Sequence, residues 1–352
     1  MGGLKKAVLR TGMEALYFTG AHRLLRPLLG GVGAILTLHH VRPARDDRFQ
    51  PNRLLEVTPE YFDDVLGGLR RAGVEIVTLD EMQRRLVECD FRRRFVCLTF
   101  DDGYRDNLRH ALPILRKHQA PFTLYIPTSF PDRSGELWWL TLEAVIAKQT
   151  RVALVMEGED RRYDCEGTEA KYELYEHIYW WLRSLETEEE LRRVVRDLAA
   201  RYVVDDAAFC NDLCMTWPEI SEIADDPLAT IGAHTVNHVM LRKASDDAVR
   251  NEMRQSAAVI EAALGKRPQH FSYPVGDRTS AGTREFAIAA ELGFKTAVTT
   301  RPGVLFAEHV AHLTALPRIS LNGEYQQARY AKVLISGAAT ALWNGFRRVD
   351  AA

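Results

Sequence analysis

Short apolar segments alternate with longer amphipathic ones from about residue 34 onward. The apolar segments have the length of strands and are apolar at nearly every position, as strands buried on both faces are. Because such strands alternate with helices, the pattern predicts an α/β fold with parallel strands, arranged either as a closed barrel or as a doubly wound open sheet. Eight strands are predicted, at residues 34–38, 74–79, 95–100, 122–126, 229–233, 270–273, 296–299 and 316–319.

Helices are predicted in the intervals between the strands. One is expected over residues 59–71, with Thr58 as its N-cap and Gly73 just past its end. Another begins after Ser245 and ends at Gly265, with apolar residues at helical spacing between these two positions.

The pattern also divides the chain. Residues 1–33 form an N-terminal helical segment, residues 34–325 the main α/β domain and residues 326–352 a C-terminal helix. Within the main domain, residues 131–218 break the alternation and contain five of the six tryptophans. We interpret this stretch as a mostly helical insertion between the fourth and fifth strands.

Composition narrows the class of protein. Of the 352 residues, 46% are hydrophobic and 27% charged, which suits a folded protein with a sizeable core. The formal charge of −2 gives no basic excess for a nucleic-acid partner. Five scattered cysteines argue against a disulfide framework and for a reducing compartment. Charged residues interrupt the apolar stretches near the N-terminus, so no secretory signal is predicted and a cytoplasmic location is expected.

The most informative segment is Thr-Phe-Asp-Asp-Gly at residues 99–103. It ends an apolar strand with two adjacent aspartates, which can serve one site only if the strand breaks there, and Gly103 supplies the break. Of two neighbouring carboxylates, one can anchor a cation while the other remains free as a general base. The alternative is a turn that only caps the next helix.

A second segment, Gly-Ala-His-Thr-Val-Asn-His at residues 232–238, also follows an apolar strand. On the first turn of a helix, the four-residue spacing of His234 and His238 would bring both imidazoles to one ion. Together the two segments suggest a site of one aspartate and two histidines. Three protein ligands leave open positions, which is typical of a catalytic metal site.

Other polar residues fall at predicted strand ends. His39 and His40 end the first strand, the segment 273–276 ends the sixth, and Arg318 lies in the last. In a parallel barrel all strands present their carboxyl ends at one mouth, where active sites lie. These residues are therefore expected to meet at one site.

These motifs resemble those of the polysaccharide deacetylase family, also called the NodB-homology or carbohydrate esterase 4 family. The resemblance rests on TFDDG, HTVNH, FSYPVG and LPRIS and spans roughly residues 34–320. It implies a distorted (β/α) barrel of seven or eight strands that binds a divalent metal ion, and Zn²⁺ is the metal expected first. It also implies hydrolysis of the linear amide of N-acetylated sugars, as in members from bacterial surface-polysaccharide biosynthesis.

The resemblance implies a role for each matching residue. Asp101 would be the general base that activates a metal-bound water, and Asp102, His234 and His238 the metal ligands. Tyr273 falls where the family uses a backbone N–H to stabilise the oxyanion.

The sequence departs from the family pattern in two places. The late Leu-x-His motif, whose histidine protonates the leaving amine, is absent. In one branch of the family the first strand ends in Tyr-His, and Leu-His-His at residues 38–40 resembles this ending. His39 is therefore assigned the role of the general acid that protonates the amine. His40 and His312 are the alternative candidates. The arginine before the third motif is also absent, and Arg318 is expected either to bind substrate or to orient Asp101.

Further hypotheses concern partners and activity. Trp138 and Trp139 are expected to pack the insertion against the barrel, with sugar stacking as the alternative. The apolar and basic stretch 330–348 is expected to close the barrel as a terminal helix. The alternative is that it lies on the inner membrane surface beside a lipid-linked glycan precursor, as the N-terminal helix also could. Alternative functions are an O-acetyl esterase, a non-haem iron enzyme and a catalytically silent glycan-binding barrel.

Overall fold

The computed structural model describes residues 3–351. Its strands are β1 (Gly33–Leu38), β2 (His40–Val41), β3 (Glu56–Val57), β4 (Glu75–Ile76), β5 (Phe95–Phe100), β6 (Phe122–Ile126), β7 (Arg151–Met156), β8 (Glu159–Asp164), β9 (Ala229–Ala233), β10 (His270–Ser272), β11 (Thr296–Pro302) and β12 (Leu316–Ser320). Its α-helices are α1 (Gly3–Phe18), α2 (Ala21–Leu24), α3 (Arg26–Leu29), α4 (Pro59–Arg71), α5 (Leu79–Glu88), α6 (Leu112–Lys117), α7 (Trp138–Lys148), α8 (Thr168–Ser184), α9 (Glu188–Arg201), α10 (Asp206–Leu213), α11 (Trp217–Ala224), α12 (Asp246–Leu264), α13 (Thr283–Glu291), α14 (Ala328–Ile335) and α15 (Ala338–Trp343).

Seven parallel strands close into a barrel. Their order is β1-β12-β11-β10-β9-β6-β5, and β5 pairs back onto β1 along its whole length. The short β4 adds an eighth strand beside the start of β5. The predicted (β/α) barrel is confirmed, and the alternative of an open sheet is wrong because β1 and β5 join its two ends.

Side-chain alternation along the strands separates the barrel interior from the helical layer. All six residues of both β1 and β5 are buried. Ile35 and Cys97 belong to an apolar cluster with Leu316, whereas Leu36 and Leu98 pack in the larger cluster that includes the surrounding helices. The same alternation later brings polar residues of neighbouring strands into the interior near the carboxyl end.

Most predicted elements have the expected bounds. Helix α4 begins after Thr58, whose side chain accepts a hydrogen bond from the Tyr61 N–H, and α12 ends at Gly265 with a positive φ of 70°. The strand predicted at residues 74–79 is shorter, because Thr78 caps a new helix, α5.

The insertion contains α7 to α10 and ends where α11 begins, as expected from its mostly helical pattern. It also contains an antiparallel hairpin, β7–β8, that was not predicted. Val152, Leu154 and Met156 alternate with more exposed residues along β7 and pack into the apolar core of the insertion. Gly158 makes the tight turn with a φ of 80°.

Helices from both ends of the chain pack together. Arg329 of α14 forms an ion pair with Glu14 of α1, and Met13 packs in one apolar cluster with Tyr330 and Val333. The single C-terminal helix that was predicted is instead two helices, α14 and α15, separated by Gly337 with a φ of 79°. Among residues 3–351, no helix is long and apolar enough to cross a membrane.

Candidate metal centre and active site

The end of β5 separates its two aspartates. The Asp101 N–H donates to the Leu38 carbonyl at 3.0 Å, which continues the pairing of β5 with β1. Asp102 and Gly103 then adopt left-handed conformations, with φ of 73° and 62°. Because the chain turns there, the two carboxylates leave the strand in different directions instead of capping the next helix.

The histidine pair is presented by a loop. Residues 234–238 follow β9 without forming a helix, so the expectation of a helical first turn is wrong. Thr235 and His238 have φ of 64° and 52°, and the Thr235 hydroxyl accepts a hydrogen bond from the His238 N–H at 2.9 Å. Left-handed residues with large side chains cost energy and are common at functional sites. Here they fold the loop so that both imidazoles face β5.

Asp102, His234 and His238 form a buried cluster. Each offers one ligand atom, and these atoms lie within 4.8 Å of one another. Asp102 Oδ1 is 3.5 Å from His234 Nε2 and 3.3 Å from His238 Nε2. Asp102 Oδ1 is also buried without a hydrogen-bond partner among the described residues. One carboxylate oxygen and two imidazole nitrogens are a donor set that suits Zn²⁺ and similar divalent ions.

Neighbouring groups set the tautomer of His234 and the charge of Asp102 in a way that suits a bound cation. His234 Nδ1 lies 2.6 Å from the Ser272 carbonyl, which can only accept, so Nδ1 carries the proton and Nε2 keeps its lone pair for an ion. Burial alone would raise the pKa of Asp102, but His238 and His234 hold it well below its usual range. The carboxylate is therefore ionised, as a metal ligand must be.

Asp101 has a different partner. Arg318, fully buried on β12, donates from Nη1 to Asp101 Oδ1 at 2.8 Å and from Nη2 to Oδ2 at 2.6 Å. Its remaining donors bond the Thr99 hydroxyl, the Thr299 carbonyl and the Ser272 hydroxyl. A fully satisfied, planar guanidinium holds a carboxylate in one orientation. Arg318 does not line the cleft, so the structure favours the expectation that it orients Asp101 over the expectation that it binds substrate.

This pairing also sets the charge of Asp101. Burial would raise the pKa of Asp101, but the Arg318 guanidinium and, to a smaller extent, His234 lower it below the usual value. The carboxylate is 2% exposed and ionised. Asp101 is therefore held as an ionised carboxylate next to the Asp102 cluster without belonging to it.

The three histidines considered for the acid role lie in different places. His39 lines the same cleft as Asp102 and His238. His40 instead points into the barrel wall, with Nδ1 2.5 Å from Asp106 Oδ2 and its ring stacked on Tyr104. Burial lowers the pKa of His39, and the negative charges of Asp102 and Asp101 offset part of this decrease.

The third competitor, His312, is exposed and ends the 3₁₀ helix Ala307–His312. That helix leads into the amino-terminal end of β12, and the Leu313 carbonyl accepts from the Ala297 N–H near the start of β11. His312 therefore lies at the end of the barrel opposite to the cluster.

The oxyanion role expected for Tyr273 does not fit the structure. Its N–H donates to the Val298 carbonyl at 3.1 Å within the sheet, and its hydroxyl donates to the Thr314 carbonyl at 2.8 Å. Val275, two residues later, lines the cleft with a φ of 62°. Among the described residues, its N–H has no acceptor. The N–H that is free to stabilise an oxyanion is therefore that of Val275.

Aromatic residues of the insertion form one wall of the cleft, which has a volume of about 490 Å³. Trp138 and Trp139 are buried, at 4% and 6% exposure, in agreement with a packing role. Trp180 is 54% exposed on the same wall. Its ring lies 5.0 Å from the Arg183 guanidinium, which is paired with Asp277 at 2.7 Å. Trp180 thus offers a supported aromatic face to a bound ligand.

Sequence reasoning missed Val275 and Trp180. A signal for Val275 was present, because Pro274 precedes it and Gly276 follows it, which is a turn signature directly after a strand. Trp180 carried no comparable signal, since it stands beside Trp181 in an amphipathic helix and only packing decides which ring is exposed.

A family model described as polysaccharide deacetylase matches residues 89–297. No curated protein sequence matches the chain. The solved structure of the Streptococcus pyogenes deacetylase PplD in complex with acetate is similar, with a TM-score of 0.55 and 21% identity over 82% of this chain and 92% of that one.

Two further solved structures are similar. IcaB from Ammonifex degensii has a TM-score of 0.54 and 18% identity, covering 86% of this chain and 97% of that one. A de-N-acetylase from Aggregatibacter actinomycetemcomitans has a TM-score of 0.53 and 13% identity, covering 86% and 99%. Identities this low show a common fold, whereas the family model spans more than half of the chain. The chain therefore belongs to the polysaccharide deacetylase family.

Proposed function

We propose that this protein is a metal-dependent hydrolase that removes acetyl groups from N-acetylated sugars of a bacterial polysaccharide or of its lipid-linked precursor. The observation that carries the proposal is the separation of two carboxylates: Asp102 faces His234 and His238, whereas Asp101 is held by Arg318. Metal-assisted hydrolysis of this kind uses a cation site and a separate base, and this geometry offers both.

The ligands proposed for the divalent ion are Asp102, His234 and His238. When bound there, the ion would supply Lewis-acid polarisation of the acetyl carbonyl and would acidify a coordinated water. Asp101, ionised and oriented by Arg318, accepts the proton of the attacking water. Val275 lines the cleft, and its N–H, which has no acceptor among the described residues, donates a hydrogen bond to the carbonyl oxygen as negative charge develops on it.

Departure of the sugar amine requires a proton on its nitrogen. His39 is the histidine among the three candidates that lines the cleft, so we assign it this step. The backbone around His39 is held in place. The His39 carbonyl accepts from Asn107 Nδ2 at 2.8 Å, and the N–H of Val41, two residues later, donates to Asp106 Oδ1 at 3.0 Å. His40, between them, is anchored by its own contact with Asp106.

Support for a glycan substrate comes from the cleft and from the relatives. The cleft combines polar groups with an exposed aromatic ring, Trp180, which is the type of surface that stacks on a sugar ring. One of the similar structures is described as a de-N-acetylase. Hydrolysis of an O-acetyl ester would use the same attacking water, the same base and the same N–H donor to the carbonyl oxygen. Ester hydrolysis is therefore a second candidate activity.

Acetate release tests the proposal. The purified protein is incubated with a panel of N-acetylated and O-acetylated oligosaccharides, before and after chelation and again after Zn²⁺ is restored. We expect release from N-acetylated substrates that is lost on chelation and recovered with metal.

The matched variant is Asp101→Asn, which keeps the size of the side chain. We expect it to lower acetate release at least about a thousandfold and to leave the bound metal unchanged by elemental analysis. An iron oxygenase needs no base beside its ligands, so an oxygen-dependent reaction that survives Asp101→Asn would replace the proposal. No release from any acetylated glycan by the metal-loaded protein would favour a silent binding barrel.

A further inference from the structure

Exposed apolar side chains are concentrated at the two ends of the chain. Of the fourteen exposed large apolar residues among those described, eight lie before residue 30 or after residue 340. The most exposed of these side chains include Leu24 at 78%, Leu28 at 68%, Trp343 at 60% and Phe346 at 63%. Single exposed apolar residues are ordinary, but a group of them on adjacent elements marks an interaction surface.

The two ends form one continuous surface. Helix α3 abuts the start of α15 so closely that a side chain at Gly337 would lie 1.9 Å from the Leu29 carbonyl oxygen. Leu28 and Phe346 line a common depression of about 260 Å³, together with Arg347 and Arg348. We call the exposed surface of α2, α3, α15 and residues 344–348 the terminal face.

Positive charge accompanies the apolar residues. Residues 1–30 and 326–352 carry nine Lys or Arg and two acidic residues, although the whole chain has a formal charge of −2. The rest of the protein therefore carries a net negative charge, and the net positive charge lies at the ends. This separation of charge indicates that the ends contact a negatively charged partner.

A second depression beside the terminal face is mainly basic. It has a volume of about 290 Å³, with one carboxylate, Asp64, in its lining. Burial, aided by the nearby Arg26, lowers the pKa of Arg94 to about 10, as expected for a cation without a paired acid. The basic residues that line it are Arg23, Arg26, Arg71, Arg94 and Lys332, with His22 beside them.

The terminal face lies at the opposite end of the barrel from the cluster. Arg94 directly precedes β5, and α3 leads directly into β1, so both mark the amino-terminal ends of the strands. Asp102 follows the carboxyl end of β5. Contact through the terminal face would therefore leave the cleft open.

We propose that the terminal face docks the protein on a bilayer that contains anionic phospholipid. The apolar side chains of α2, α3 and α15 enter the interface, with Trp343 at headgroup depth, and the basic residues contact lipid phosphates. A second copy of the chain is a poorer occupant, because a symmetric contact would bring two cationic faces together. Docked in this way, the protein presents its cleft to the side away from the bilayer. This arrangement favours the polysaccharide, which can extend past the barrel, over a short lipid-linked precursor as the substrate.

Vesicle flotation of the full-length protein tests the proposal. The vesicles are phosphatidylcholine alone, or phosphatidylcholine with about one third phosphatidylglycerol, a content that gives a strongly anionic surface. We expect flotation with the anionic vesicles, at least about tenfold weaker binding to neutral vesicles, and loss of binding when salt screens the charges.

Two double variants separate the apolar and the charged contributions. Trp343→Ser with Phe346→Ser removes exposed rings, and Arg23→Glu with Arg26→Glu reverses charge. Each is expected to weaken binding to anionic vesicles at least about tenfold, because each alters side chains that enter or contact the interface. Circular dichroism melts check that the variants fold.

Matched controls come from the exposed part of the insertion. Val203→Ser changes an apolar side chain that is 89% exposed, and Arg161→Glu with Arg162→Glu reverses charge on the hairpin. These controls are expected to bind like the wild type. The proposal is overturned if the wild type does not float with anionic vesicles, if the controls lose binding equally, or if sedimentation shows a dimer that the apolar double variant dissociates.

Discussion

At the scale of single residues, Arg318 holds Asp101, the carboxylate proposed as the base, in place of the arginine expected from the family pattern. In this chain Arg318 of the last barrel strand bonds both oxygens of Asp101 and is itself fully buried. A buried carboxylate without such a partner would take up a proton and lose its function as a base. Arg318 is therefore a positioning residue that also keeps Asp101 ionised.

Substitution of Arg318 should shift the pH dependence of catalysis. In Arg318→Gln, burial is no longer opposed by the guanidinium, so the pKa of Asp101 rises. Because only ionised Asp101 accepts a proton, activity is lost as pH falls through this pKa, and the acidic limb of kcat/KM should move upward by about one to three pH units. Arg318→Lys should give a smaller shift. An acidic limb identical to that of the wild type would show that Arg318 has only a structural role.

His39 should matter most when the leaving group is poor. We expect His39→Gln to reduce release from an N-acetyl amide by about a hundredfold or more, because the amine must be protonated, and to change hydrolysis of an aryl acetate little. His312→Gln, at the opposite end of the barrel, is the matched control and should leave both rates unchanged. Equal losses on amide and aryl ester would remove the acid role from His39.

The sequence predicted part of this site for physical reasons. Asp102, His234 and His238 directly follow apolar strands, and parallel strands bring such positions to one mouth. Arg318 was expected either to orient Asp101 or to bind substrate. The sequence could not decide between these roles, because alternation places Arg318 in the barrel interior without saying which group its side chain reaches. Tyr273 was chosen for the oxyanion from motif position alone, and only the hydrogen bond of its N–H to Val298 moves the proposed role to Val275.

At the scale of elements, the insertion shapes the cleft. Its helix α8 carries Trp180 onto the cleft wall, while α7 packs Trp138 and Trp139 beneath the surface. Periodicity predicted the helices, but the hairpin β7–β8 was missed because β8 is polar and exposed and so lacks the apolar signal of a strand.

Trp180 should contribute to substrate binding more than to chemistry. We expect Trp180→Ala to raise KM for an acetylated oligosaccharide about tenfold, in line with the loss of one aromatic contact, and to leave kcat within about twofold. The control Val203→Ala, also exposed in the insertion, should change neither constant. A fall in kcat with an unchanged KM would place Trp180 in the catalytic step instead.

The 3₁₀ helix Ala307–His312 should make stability depend on pH. His309 Nδ1 accepts from the Phe306 N–H at 3.0 Å, and burial lowers the pKa of His309 to about 4. The folded state therefore binds this proton less readily than the unfolded state, whose histidine titrates near 6.5. Its contribution is complete above about pH 6.5 and is lost progressively down to about pH 4, by up to about 3 kcal/mol.

Urea unfolding of the wild type and His309→Gln at pH 7.5 and pH 4.5 checks this contribution. The free energy of unfolding of the wild type should exceed that of the variant at pH 7.5, and the difference should narrow at pH 4.5. A difference that does not change with pH would show that His309 remains neutral or protonated in both states.

At the scale of the whole molecule, closure of the barrel joins residues that are far apart in sequence. β5 and β9 carry the proposed ligands and are separated along the chain by the entire insertion, while β12 supplies Arg318. The alternation of apolar and amphipathic segments predicted the strands and helices. It could not predict closure of the barrel, because closure depends on the pairing of β1 with β5 and an open sheet has the same local pattern.

An ion held between β5 and β9 should therefore stabilise the fold. We expect Zn²⁺ at a hundredfold excess over its dissociation constant to add about 2.7 kcal/mol, measured as a rise in Tm that a chelator reverses. Asp102→Asn should abolish the rise, whereas Asp101→Asn should retain it. An equal rise in both variants would indicate a stabilising metal site elsewhere.

The position of the metal tests the central claim most directly. Anomalous diffraction at the zinc edge, from crystals grown with Zn²⁺, locates the ion independently of activity. The account predicts one peak about 2.0–2.2 Å from a carboxylate oxygen of Asp102 and from one ring nitrogen each of His234 and His238, with Asp101 still paired to Arg318. A peak coordinated by Asp101, or one away from these three side chains, would contradict it.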